Sequence, residues 1–250
     1  MHGKTLNKIA RFLRSSGYRE ESIRVRQCDA RGIEFTRGDR TVRLLRQGKF
    51  DGECTLTVRQ LRDIARNANI EITPDGFKVG QAEIVLRKRE AERVVPLLSP
   101  STNVVLFPSI ELHKAIKILK ACISHDELRV AMCSVSLKIN KGEVEMVATD
   151  LHKLAVCRMQ AVNPVTIPQI LLPGKWVKLP FCKTGTTHCF LSEPAQGKSH
   201  EMVWQWIEDA LVYEVKMTAI DAKYVDFDAV IQKDTTPILR IPRVVIAMLI

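Results

Sequence analysis

Four stretches of the chain carry the same order of signals: a short apolar run suited to a strand, a Val or Pro, and then residues at helical spacing. They are TLTVRQLRDIARNA (55–68), VVLFPSIELHKAIKILKA (104–121), ILLPGKWVKLPF (170–181) and ILRIPRVVIAMLI (238–250). Their pivots, Val58, Pro108, Pro173 and Pro242, recur at intervals of 50, 65 and 69 residues. Proline suits the first turn of a helix, where its missing N–H would go unbonded anyway. Ser109 is a reasonable N-cap. A strand that feeds straight into a helix at such intervals points to repetition of one supersecondary unit, the alternative being an ordinary α+β protein whose helices are alike by chance.

Between the pivots the periodicity becomes two-fold. LRVAMCSVSLKI (128–139) and EVEMVATD (143–150) flank the turn NKGE and read as a hairpin. MVWQWI (202–207) and ALVYEVKM (210–217) flank Glu208-Asp209, GFKVGQAEIVLRKR (76–89) folds back at Val79-Gly80, and IRVRQCDARGIEFTRG (23–38) turns at Ala30-Arg31-Gly32. The unit is therefore strand, helix, then about three antiparallel strands, and residues 1–16 supply one more helix. The expected class is α+β, with helices on one face of antiparallel sheets. The expected domains are 1–100 and 101–235, divided near Pro100 in LLSPSTN, with a third unit starting at 236–250.

The helices have two chemically distinct faces. Leu6, Ile9, Ala10 and Leu13 oppose Lys4, Lys8, Arg11 and Arg14. Val58, Leu61, Ala65 and Ala68 oppose Arg59, Arg62 and Arg66, and Leu112, Ala115, Leu119 and Ile123 oppose Lys114, Lys117 and Lys120. The fourth helix is shorter, carries Lys175 and Lys178, and is ended or kinked by Pro180. Residues three or four apart share a helix face, so the polar faces are almost purely cationic. Asp63 and Glu111 are the only acids in the second and third helices, whereas a surface built for solubility interleaves both signs. The whole chain has 38 basic and 28 acidic side chains, a net charge of +10, which favours a polyanionic partner. Side-by-side cationic stripes track phosphates and read no sequence. No zinc-finger spacing, basic zipper or RNA-recognition signature is present. Aromatic residues make up 6%, too few for a single-strand stacking platform.

The remaining chemistry is sparse. Seven scattered cysteines without a signal peptide read as free thiols in a reducing cytosol, and no apolar run is long enough to cross a membrane. Cys182, His188 and Cys189 lack a paired metal-ligand spacing, and there is no phosphate-cradling glycine loop. No metal, cofactor or catalytic residue is expected. The densest cluster of reactive types is VATDLHKLAVC (147–157), with Asp150, His152, Lys153 and Cys157. Cys157 alternates with Val156 in a strand-like run and has no nucleophile turn around it, so it reads as a core thiol.

VATDLHKLAVC resembles the ATDGHRLA motif of bacterial DNA sliding clamps, the beta subunit of the replicative DNA polymerase III. Ala148, Thr149, Asp150, His152, Leu154 and Ala155 agree in type, Lys153 replaces Arg, and Leu151 stands where the family has Gly. LFPSIELHKAIKILKACISHDELRVAM (106–132), EDALVYEVKM (208–217) and KYVDFDAVI (223–231) are similar to further segments of the clamp's middle domain, in the same order. The resemblance implies a clamp fold with helices lining a pore around duplex DNA. Arg59, Arg62, Arg66, Lys114, Lys117 and Lys120 would be the main phosphate contacts, and Arg129 aligns with a clamp arginine near DNA. It also implies a surface pocket for short linear peptides of polymerases, the clamp loader and repair proteins. Its walls would be Met132, Thr149, Leu151, Leu154, Val225 and Val230, with His152 and Lys153 at the rim. The implied protein is a cytoplasmic, non-enzymatic processivity factor, able to form a homo-oligomeric ring. The alternative is a non-encircling adaptor or decoy that binds clamp clients or clamp subunits. The chain ends at Ile250 inside an expected fifth helix, as a fragment or as a shortened clamp relative would.

Overall fold

The computed structural model describes residues 3–14, 22–28, 32–45, 53–66, 70–73, 76–85, 88–89, 103–192, 199–227 and 229. The expected boundary near Pro100 and the expected unit at 236–250 both lie outside the described residues. In chain order the first part runs α1 (Gly3–Leu13), β1 (Ile23–Cys28), β2 (Gly32–Arg37), β3 (Arg40–Leu44), β4 (Glu53–Leu56), α2 (Val58–Ala65), β5 (Ile70–Thr73), β6 (Gly76–Val79), β7 (Ala82–Val85) and β8 (Lys88–Arg89). The second part runs β9 (Asn103–Pro108), α3 (Ser109–Leu119), β10 (Ser134–Asn140), β11 (Glu143–Thr149), β12 (Leu154–Gln160), β13 (Ile167–Pro173), a 3-10 turn (Gly174–Lys178), β14 (Thr186–Leu191), β15 (Glu201–Glu208) and β16 (Leu211–Thr218).

The unit of strand, helix and three strands is present, but its leading strand does not join its own three. β9 leads into α3 and pairs with β14, whereas β13 leads into the 3-10 turn and pairs with β10. The two units of the second part thus exchange their first strands. The sheets are β12-β11-β10-β13, β5-β6-β7, and a nine-stranded sheet β8-β4-β1-β2-β3-β16-β15-β14-β9. In the last of these, β3 pairs antiparallel with β16, Leu44 opposite Leu211, so one sheet runs through both parts.

Local chemistry explains the helices. In α1, Leu6, Ile9, Ala10 and Leu13 are buried and Lys4, Lys8 and Arg11 are not, the 3.6-residue stripe of an amphipathic helix. The last carbonyls of α1 have no partner within the helix. Two strand arginines supply one: Arg37 Nη1 donates to Leu13 O at 2.8 Å and Arg40 Nη1 to Phe12 O at 2.6 Å. A reciprocal capping box starts α2. Gln60 N donates to Thr57 Oγ1 at 3.1 Å, and Thr57 N donates to Gln60 Oε1 at 2.8 Å.

Several sequence expectations are corrected here. Ser109 is not the N-cap of α3 but its first residue. It is fully buried, and its hydroxyl bonds Thr187 Oγ1 at 2.9 Å. Pro108 and Pro173 occupy the N-cap positions rather than the first helical turn. The fourth helix is only a 3-10 turn, because Leu179 and Pro180 return the backbone to an extended path. α2 runs to Ala65, and Ala68, expected on its apolar face, lies outside the described residues. Residues 128–133 form turns, and β10 begins only at Ser134.

The hairpin turns follow from the residues at their tips. Lys141 (φ 49°) and Gly142 (φ 87°) make the β10–β11 connection, the two positive φ values of a tight primed turn. A Cβ at Gly142 would sit 2.9 Å from Gln160 Nε2 and 3.2 Å from Asn163 O, so space as well as φ demands glycine there. Asp209 (φ 56°) turns β15 into β16.

One continuous apolar core unites the parts. Phe12 of α1 stands edge-on to Trp206 (5.6 Å, 82°) and Tyr213 (5.0 Å, 72°), and these two stack on each other. Trp176, Trp204, Phe107 and Phe181 extend the cluster. At the β3–β16 junction the sheet's opposite face is ionic. Arg43 pairs with Glu34 and with Glu214, each at 2.9 Å, and both carboxylates are buried.

Candidate nucleic-acid interface and peptide site

The cationic helix faces form one array. α2 packs on α1, and α3 packs on the 3-10 turn. α1 and the 3-10 turn wall a cleft of about 450 Å³ that also contains Arg40, Phe12, Pro180 and Tyr213. The segments therefore follow one another as α2, α1, 3-10 turn, α3, and each turns its apolar side into the shared core. Arg59, Arg66, Lys114, Lys117 and Lys120 are exposed and Arg62 is half-buried. Two of the six are partly neutralised on their own helix: Arg66 by Asp63 at 3.3 Å and Lys114 by Glu111 at 3.0 Å. Arg129 is exposed and pairs with Asp126 at 3.3 Å in the turns after α3. His113, also on α3, is held below its ordinary value by burial first and then by Lys117 and Lys183. Arg40 is not legible in the sequence as a surface candidate, because it comes from a strand and no helical periodicity points to it.

VATDLHKLAVC is the end of β11, a turn, and the start of β12. Thr149 is pinned by its hydroxyl, which donates to Lys153 O at 2.8 Å and accepts from Leu151 N at 3.0 Å. The Asp150 carboxylate accepts from His152 N at 2.9 Å and Lys153 N at 2.7 Å. Those backbone donors, that of Lys153 foremost, hold its carboxyl below the usual range. Asp150 is thus a turn-forming carboxylate. Cys157 faces the core beside α3, its Sγ 4.0 Å from Ala115 O, and burial pushes its thiol up, away from nucleophilic use. Among the described residues no three His, Cys, Asp or Glu side chains stand together as metal ligands.

Leu151 is the unusual residue of this turn. Its φ is +74°, a left-handed conformation that glycine adopts freely and a leucine rarely does. Its side chain is 54% exposed, and Leu154 is 39% exposed. Beside this turn, strand alternation turns a second apolar set away from the main core. Val147 of β11 lies opposite Val156 of β12, and both face outward while Met146 and Cys157 face in. Leu171 of β13 joins them, and Tyr224 and Phe227, from the segment after β16, cover the row. That segment is tied down by Ile220 N to Leu171 O at 2.9 Å and by Tyr224 Oη to Val147 O at 3.2 Å.

The expected peptide-site residues are distributed as follows. Thr149, Leu151, His152, Lys153 and Leu154 share the turn, with His152 and Lys153 exposed. Val225 packs on the outer apolar row, as does Ala131, the neighbour of Met132. Met132 itself is only 6% exposed. Val230 lies outside the described residues. Val147, Leu171, Tyr224 and Phe227 are additions to the expected set. The signal available for Val147 is its position between Met146 and Ala148, both of which face the opposite side of the sheet.

This architecture is that of the DNA sliding clamps. Residues 107–182 match the family described as DNA polymerase III beta subunit, central domain. The DNA polymerase sliding clamp from Bacillus subtilis superposes with a TM-score of 0.68 at 18% identity, covering 92% of this chain and 67% of the other. The DNA polymerase III subunit beta from Pseudomonas aeruginosa gives 0.68 at 17%, covering 94% and 68%. A second Pseudomonas aeruginosa clamp structure, bound to griselimycin, gives 0.67 at 19%, covering 93% and 66%. The chain spans about two thirds of the length of these clamps. No curated protein matches it in sequence. No described helix is long and apolar enough to cross a membrane.

Proposed function

We propose that this chain is a clamp-like factor of DNA replication or repair. It contacts or encircles duplex DNA without sequence preference and tethers client proteins through a peptide site at the VATDLHKLAVC turn. Its two units would be 1–100 and 101–235, and copies of it would assemble into a ring. The fold is that of non-enzymatic processivity factors, so the activity is one of holding. The observation that carries the reading is the array α2, α1, 3-10 turn, α3, whose outward side chains are cationic with few acids among them. Such a surface neutralises phosphates and releases counterions.

Duplexes of unrelated sequence should bind alike, with log affinity falling linearly in log salt. Affinity that is indifferent to salt, or confined to one sequence, would overturn the DNA reading. For the peptide site, a short peptide with apolar anchors should bind in the micromolar range, about −8 kcal/mol. Val225→Ala should weaken it, since Val225 is half-buried on the outer row. Failure of the parent and of Leu151→Gly to show saturable binding would leave the turn as plain sheet structure.

A further inference from the structure

We propose that the cleft between α1 and the 3-10 turn is a phosphate seat, holding one phosphodiester of the duplex backbone between the two parts of the chain. The inference rests on the DNA reading above and adds a location to it. Five cations line the cleft, and three of them stand at its exposed edge: Arg11 of α1, Arg14 just after it, and Lys178 at the end of the 3-10 turn. All three are exposed, and none has an ion-pair partner among the described residues. This separates them from the other cations of the array that face an acid. Lys8, in the same cleft, is already held by Glu208 at 3.2 Å and Asp209 at 2.9 Å.

The wall beneath them is partly apolar, made by Phe12, Pro180 and the ring of Tyr213, with Arg40 beside them and Glu208 occupied by Lys8. Low-dielectric walls keep water from screening an anion, so unpaired cations above them attract phosphate more strongly than the same charges on an open surface. Two guanidinium groups supply planar forks that match phosphate oxygens, and the ammonium adds a point charge from the opposite wall. The far wall belongs to the second part of the chain. A seated phosphate therefore bridges α1 to the 3-10 turn, in a cleft also lined by the Lys8–Glu208 pair that joins the two parts of the chain.

The test compares the parent with Arg11→Ala/Arg14→Ala/Lys178→Ala. A control of equal charge change, Lys78→Ala/Lys138→Ala/Lys216→Ala, removes exposed cations elsewhere. Duplex affinity is measured across salt concentrations, with thermal melts to confirm folding. The seat predicts a salt slope smaller by about 1 for each phosphate left without its cation in the cleft variant, and the parent's slope in the control. Equal slopes in parent and cleft variant, or equal reductions in both variants, would overturn it. A second arm titrates inorganic phosphate while following the backbone amides of 10–14 and 174–179 by NMR. Saturable shifts in the parent that vanish in the cleft variant support the seat. Shifts absent from the parent, or unchanged in the variant, remove it. A parent that binds no duplex refutes the DNA reading, and the phosphate arm then decides the seat by itself.

Discussion

Leu151 holds a left-handed backbone without being glycine. Thr149 and Asp150 enforce that conformation by bonding the amides of residues 151–153. A strained residue of this kind costs on the order of 1 kcal/mol. Leu151→Gly is therefore expected to stabilise the protein by about that amount in urea denaturation, while removing a half-exposed apolar wall from the turn. The same loop gives a pH signature. The Asp150 carboxyl lies below its ordinary 3.8 when folded, first through the amide of Lys153 and then that of His152. A depressed carboxyl contributes stability that is present above about pH 3.8 and is lost as pH falls through the lower folded value. Asp150→Ala should lower stability near neutrality, and the difference from the parent should close in strong acid. The leucine itself is visible in the sequence. Its positive φ is not, since that depends on which amides Thr149 and Asp150 bond once the strands on either side are paired.

At the scale of elements, α2 and the β3–β16 junction offer contrasting tests. Thr57→Ala removes one side of the capping box and should cost about 1 kcal/mol, read as a fall in the denaturation midpoint. Arg43→Ala is expected to be more damaging than the loss of a cap, roughly 2–3 kcal/mol. It would take from buried Glu214 the cation it pairs with, while Glu34 keeps Arg26. Glu214 is already pushed up by burial, with Arg43 opposing that rise, so its carboxyl should rise further in the variant. The hairpins at Gly142 and Asp209 are legible because turn residues announce themselves between alternating runs. The fourth helix is shorter than its pattern implies: Lys175 and Lys178 have helical spacing, but Pro180 leaves too little chain for more than a 3-10 turn. The exchange of β9 and β13 is not legible at all, because periodicity assigns a strand to a face and never to a partner.

For the whole molecule, the basic stripes are legible helix by helix, and the fold supplies what the periodicity lacks, the order in which the helices adjoin. Reversing Lys114, Lys117 and Lys120 to Glu should weaken binding to all duplexes alike and flatten the salt dependence, measured by titration at several ionic strengths. Weakening confined to one sequence would contradict a backbone-tracking surface. Nothing in the sequence signals that one sheet passes from β3 to β16, because the pairing of Leu44 with Leu211 joins strands far apart in the chain. The strand exchange also bears on how the chain reaches this state. Asn103 must find Leu191 before the edge of the large sheet is complete, and Ile167 must find Ile139 before the smaller one is. Neither unit of the second part can finish its own sheet alone, so closure waits on long loops and refolding should be slow for a chain of this size. A fragment carrying only β9 to β12 would present an unpaired β10 edge, open to the β13 of an intact chain or to edge-to-edge association with its own copies.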